Sequence, residues 1–102
     1  MSQGFQYVWD TEKAASNLRK HGVSFEEAQT VFSHPLAVIF FDEGHSTKDE
    51  DREIIIGFSN LDRVLLVAFT ERSTDIRLIS ARETTPKERK DYEEYILFGP
   101  GR

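Results

Sequence analysis

The sequence predicts one α+β domain in the order β-α-α-β-β-β-β-α, an antiparallel sheet with helices packed against it. Three observations carry this. Two capped, helix-periodic segments come early, between residues 10 and 33. Four apolar runs then follow one another, three of them through short polar turns: "LAVIFFD", "EIIIGFS", "RVLLVAFTE" and "DIRLISAR". A final segment opens with Thr85, Pro86 and Glu88 and turns helical again. Strands in direct succession favour an antiparallel meander with the helices on one face.

Each element has its own local signal. "FQYVW" at 5–9 alternates and reads as a short first strand. Asp10 caps a helix to about His21, with Glu12 and Lys13 in the first turn. Gly22 supplies the left-handed ending, and Val23 is placed to pack back on Leu18. Ser24 and Glu27 form a capping-box pair for a second helix, whose Phe25, Ala28, Val31 and Phe32 make one apolar face. Pro35 disfavours helical geometry at His34 and ends it. "LAVIFFD" is too apolar for a strand exposed on both faces.

Residues 42–53, "DEGHSTKDEDRE", show no apolar period and read as a loop or long hairpin connection. "NLD" turns the third strand into the fourth. Thr85 caps the last helix, with Pro86 in its first turn; Tyr92, Tyr95 and Ile96 share the face that docks on the sheet. The 102 residues make a single domain, 1–102, with a core from about 5 to 97 and a frayed tail at 98–102.

Composition narrows the function classes. A hydrophobic content of 38% with eight Phe supports a real core and excludes global disorder. Without cysteine there are no disulfides, thiolate metal sites or cysteine nucleophiles. The first residues lack a signal-peptide pattern, and no apolar run spans a bilayer, so no membrane is expected and the cytoplasm is the expected compartment. A net charge of −5 argues against a general nucleic-acid binder. That charge is polarised: residues 63–90 hold seven Lys and Arg against four acids, whereas 42–53 is strongly acidic.

Two groups of side chains invite chemistry. On the first helix, Lys13, Asn17 and Lys20 form a stripe with His21 at its border. It is either a solvated face or a phosphate-binding ridge beside a histidine. His21 could also simply complement the helix dipole. His45 stands among carboxylates without recognisable metal-ligand spacing, which favours a solvated carboxylate-rich loop over a metal site. The second group is Arg72, Arg77 and Arg82 in "TERSTDIRLISAR". If the hairpin closes through an even-numbered loop, Thr70, Arg72 and Arg77 share a face, and Ser80 and Arg82 take the other. A bulge would exchange that assignment. The arginines either pair with Asp75, Glu71 or Glu83 at the rim, or hold an anion in a rigid fork.

These segments together resemble the BrnT family of type II toxins. The resemblance rests on "WDTEKAASNLRKHGVSFEEAQTVF", "DR", "IIIGFS", "VAFTER" and "IRLISARETTPKERKDYE", in that order from Trp9 to Glu93. It implies a fold similar to the RelE ribonuclease toxins and an endoribonuclease, without a metal or organic cofactor, that cleaves RNA and inhibits translation. It also implies a BrnA-type antitoxin with a ribbon-helix-helix domain, through which alone operator DNA would be contacted. By resemblance Lys13, His21, Arg72, Arg77 and Arg82 are catalytic candidates, with His21 or Lys20 for proton transfer. Asn17, Lys20, Thr70 and Ser80 are candidates for RNA contact. The alternative is a catalytically degenerate binding module that acts as corepressor with such an antitoxin.

Overall fold

The structure, a computed structural model, describes residues 6–48 and 50–99. Its elements are β1 (Gln6–Val8), α1 (Thr11–His21), α2 (Phe25–Thr30), β2 (Val38–Phe41), β3 (Glu53–Phe58), β4 (Val64–Glu71), β5 (Asp75–Glu83) and α3 (Pro86–Phe98). Single 3-10 turns follow α2, at Val31–Ser33, and β2, at Glu43–His45. The predicted order is therefore present. The five strands form one sheet in the order β1-β5-β4-β3-β2. All neighbours are antiparallel except β1, which runs parallel to β5.

The local signals act largely as read. Asp10 accepts the amides of Glu12 and Lys13, and Gly22 closes α1 at φ 69° with its amide on the Leu18 carbonyl. Val23, however, enters the main core, and Leu18 stays exposed. Ser24 caps α2 through the Glu27 amide, yet the Glu27 carboxylate turns away to Ser59 and Arg63. The reciprocal capping box is complete only at Thr85 and Glu88. The helix it opens runs to Phe98 and is capped by Gly99, whose amide donates to the Tyr95 carbonyl; residues 100–102 of the expected frayed tail, like Phe5 of the first strand, lie outside the described residues.

The expectation that all helices share one face is corrected. Leu65, Val67, Phe69, Ile76, Leu78 and Ala81 form the main core with Val23, Phe25, Ala28 and Val31, on the α1–α2 side. Val64 and Ile56 form a second core with Tyr92 of α3, joined by Leu66, Phe58 and Ile96, on the opposite side. The cause lies in β3 and β4, which are apolar at consecutive positions and so require cover on both faces. Gly57 serves the first side: a Cβ there would stand 2.9 Å from the Ala37 Cβ. A second correction concerns β2. It forms the outer edge of the sheet, and Ile39 and Phe41 are 52% and 53% exposed despite the apolar sequence.

Candidate functional site

The β4–β5 hairpin sets the geometry. Thr70 stands opposite Arg77, and the Arg72 amide donates to the Asp75 carbonyl at 2.8 Å, so of the two cases the loop is the even-numbered one. Between Ala68 and Phe69 the register then shifts: Phe69 pairs with Leu78 but Ala68 with Ser80, which leaves Ile79 as an extra residue. This bulge overturns the assignment of Ser80 and Arg82 to the other face. One extra residue restores the phase, so Arg77, Ser80 and Arg82, opposite Thr70, Ala68 and Leu66, all lie on the α3 side.

Sharing a face does not bring the three arginines together. Arg77 belongs to two adjoining hollows. One, about 70 Å³, is lined by Asp10, Lys13, Glu50, Arg52, Arg77, Leu78 and Ile79. The other, a shallower recess of about 280 Å³, is lined by Val8, Trp9, Asp10, Arg72 and Arg77. Lys13, Arg72 and Arg77 thus converge with a fourth cation, Arg52. Its side-chain Nε is buried and makes no hydrogen bond. With Lys13, Arg52 and Arg77 set against the carboxylates of Asp10 and Glu50, the smaller hollow carries a surplus of one positive charge, and an anion there could also use that donor.

Arg82 is engaged elsewhere. Its Nη1 and Nη2 reach Glu88 Oε1 and Oε2 at 2.8 and 2.9 Å, and Nη1 also donates to the Glu83 carbonyl. The partner is Glu88, rather than Glu83 or Glu71 as the rim-pair reading had it. Arg82, with the Thr85 amide in support, holds the Glu88 carboxyl down to about 2. The pair raises the Arg82 guanidinium correspondingly.

The α1 stripe divides in the same way. Lys13 lines the smaller hollow. Asn17 is only 6% exposed and works on the backbone: Nδ2 donates to the Ala81 and Val23 carbonyls at 2.8 and 3.0 Å, and Oδ1 accepts the Ala81 amide at 3.1 Å. β1 pairs with β5 only as far as Arg77, and beyond it Asn17 closes the strand edge. Lys20 and His21 are exposed at the far end of α1; His21 lies eight residues, about 12 Å along the axis, from Lys13. Thr70 is buried, and Ser80 is half-buried beside the bulge.

Arg52 was not among the sequence candidates. It sits in a stretch read as a solvated acidic loop, although the pair "DR" was a recognisable signal. The loop is tied down at its ends: the Asp42 amide donates to the Arg52 carbonyl at 2.8 Å, and Ser46 Oγ bridges the Arg52 amide and the Asp42 carbonyl. His45 Nδ1 lies 3.0 Å from Asp42, and among the described residues no three metal-ligating side chains cluster. Arg63 is another cation with a structural post: it pairs with Glu27 and Glu83 and donates to the Gly22 carbonyl. Arg63 and Ser59 hold the buried Glu27 carboxyl below its usual range, against the opposing effect of burial. A larger groove of about 440 Å³, bordered by Tyr7, His34 and Phe58, contains none of the candidates.

Comparison with known proteins points the same way. Residues 9–88 match the family described as "Ribonuclease toxin, BrnT, of type II toxin-antitoxin system". Among solved structures, the Brucella abortus ribonuclease toxin BrnT superposes with a TM-score of 0.61 at 25% identity, over 79% of this chain and 97% of that one. A search of curated proteins finds no match. No helix among the described residues is long and apolar enough to cross a membrane.

Proposed function

The chain belongs to the BrnT family of ribonuclease toxins of type II toxin–antitoxin systems, and from that membership we propose that it is a metal-independent endoribonuclease of the bacterial cytoplasm. It inhibits translation by cutting RNA, and a BrnA-type antitoxin encoded beside it neutralises it. That antitoxin supplies the ribbon-helix-helix contact to operator DNA. The observation that carries the catalytic reading is the convergence of Lys13, Arg52, Arg72 and Arg77 on two hollows that share Arg77.

In this reading the smaller hollow takes the scissile phosphate. The ribose 2′-oxygen attacks phosphorus, the 5′-oxygen leaves, and the products are a 2′,3′-cyclic phosphate and a 5′-hydroxyl. Lys13, Arg52 and Arg77 neutralise the charge that develops on the non-bridging oxygens. Arg72, in the adjoining recess, holds the next phosphate along the strand. A proton must leave the 2′-hydroxyl and another must reach the 5′-oxygen. Of the two carboxylate residues at the hollow, Asp10 already accepts the α1 amides on Oδ1, which supports Glu50 as the acceptor in this reading. Lys13 is the donor. His21 and Lys20, at the other end of α1, act on flanking RNA, whereas Asn17, Ser80 and Arg82 position the strand that carries Arg77.

The binding-module alternative draws on a different observation. Arg82 is committed to Glu88 and His21 stands apart, so two of the five catalytic candidates line neither hollow. Purified protein incubated with RNA in EDTA separates the two readings. Cleavage that leaves cyclic-phosphate ends supports the nuclease. Intact RNA, together with harmless high-level expression in bacteria lacking the antitoxin, leaves only the corepressor.

A further inference from the structure

The hollow is not the molecule's only unfinished surface. The sheet has two edges, and among the described residues only one is closed: β1 and then Asn17 cover β5, whereas β2 has β3 on one side and no described strand on the other. β2 also lacks the Lys, Pro or bulge by which exposed edges usually resist pairing. Leu36, Ile39, Phe40 and Phe41 are all exposed there. The edge is nevertheless held firmly. Phe40 packs edge-on against Tyr95, with ring centroids 5.6 Å apart, and the Tyr92 hydroxyl donates to the Leu36 carbonyl at 2.8 Å. A rigid, apolar, unpaired edge is a template for one more strand.

Charge indicates what that strand is. β2 runs directly into Asp42 and Glu43, and the last turn of the neighbouring α3 carries no basic residue. A second copy of the chain is acidic overall, at −5, and carries the same Asp42 and Glu43 after its own β2. A cationic segment would meet complementary charge instead. Position adds a consequence for activity. Asp42, the residue after β2, binds the backbone of Arg52, whose side chain lines the phosphate hollow. A strand seated on β2 therefore ends one residue from the loop that completes the hollow.

We propose that β2 is the docking edge for the antitoxin, which adds a cationic, alternately apolar segment as a sixth strand and acts on the hollow through the Asp42–Arg52 loop. The assignment rests on the toxin–antitoxin reading above and adds to it a surface, a binding mode and a partner chemistry.

The probe is the full-length antitoxin encoded beside this chain, titrated against the intact wild type and the double variant Ile39→Lys/Phe41→Lys. Neither side chain lines the hollow, and both are exposed, so the variant should fold and should cleave RNA as the wild type does. Antitoxin affinity should fall by about a hundredfold and weaken further with added salt, the loss expected for two central apolar contacts. Amide exchange at 38–41 should slow in the wild-type complex. Full-affinity binding by the variant, unchanged exchange at β2, or no binding by the wild type would overturn the assignment. So would a salt-insensitive wild-type dimer abolished by the two substitutions, because the occupant would then be a second copy. A wild type that binds through β2 but leaves RNA intact would uphold the docking edge and remove the nuclease reading alone.

Discussion

Arg82 grips both carboxylate oxygens of Glu88, at 2.8 and 2.9 Å, and so ties the end of β5 to the first turn of α3. Glu88 also accepts the Thr85 amide, which makes the helix cap and the ion pair one unit. Arg82→Ala should therefore destabilise the fold. Both side chains are about one-third exposed, and after discounting for solvent screening the loss at neutral pH is about 1–2 kcal/mol. The folded-state carboxyl lies below its ordinary value of 4.5 at about 2. The contribution is thus complete above that ordinary value and disappears as pH falls toward 2. Urea melts at pH 7, 4 and 3 should show the gap between variant and wild type narrowing. A constant gap would contradict the pairing.

Asn17 offers a sharper contrast between a structural and a surface residue. Asn17→Ala strips partners from the Ala81 amide and from two buried carbonyls, and should cost about 2–4 kcal/mol. Lys20→Ala, one turn away and exposed, should stay within about 0.5 kcal/mol. Thermal unfolding of both variants measures this directly. Equal melting temperatures would refute the role of Asn17 at the strand edge.

Arg63→Ala would leave the buried Glu27 carboxylate with Ser59 as its remaining side-chain partner. The expected loss is about 3 kcal/mol at pH 7, because an uncompensated charge stays in the interior. Adding Glu27→Gln removes that charge and should recover part of the stability. The Arg63–Glu27 contribution is present above the ordinary carboxylate range and fades in acid, since pairing lowers the Glu27 value. A double variant less stable than Arg63→Ala, measured by urea denaturation, would contradict this order.

Much of this was legible before any coordinates. Caps, turn residues and hydrophobic period identified Asp10, Gly22, Ser24, Pro35 and Thr85, because each acts through its immediate neighbours in the chain. The Thr70–Arg77 pairing was legible as one of two cases, the one in which the hairpin loop is even-numbered. What escaped was non-local. The bulge at Ile79 leaves no composition signal, yet it decides the face on which Arg82 lies. Asn17 looked like one more polar residue on a stripe, since nothing in the sequence says that β1 stops at Val8. Arg52 was hidden in an acidic loop whose ends are closed by backbone and Ser46 hydrogen bonds. The exposed edge at β2 reversed a burial rule that holds for a strand with two neighbours.

RNA cleavage by the intact chain, followed at single turnover in EDTA for the wild type, Lys13→Ala and Arg77→Ala, is the most direct measurement. The convergence of these cations on one phosphate-sized hollow predicts metal-independent cutting by the wild type. Each variant should be slower by ~10²–10³ while its melting temperature is retained. Folded variants that cut at the wild-type rate, or a wild type that leaves RNA intact, would contradict the assignment.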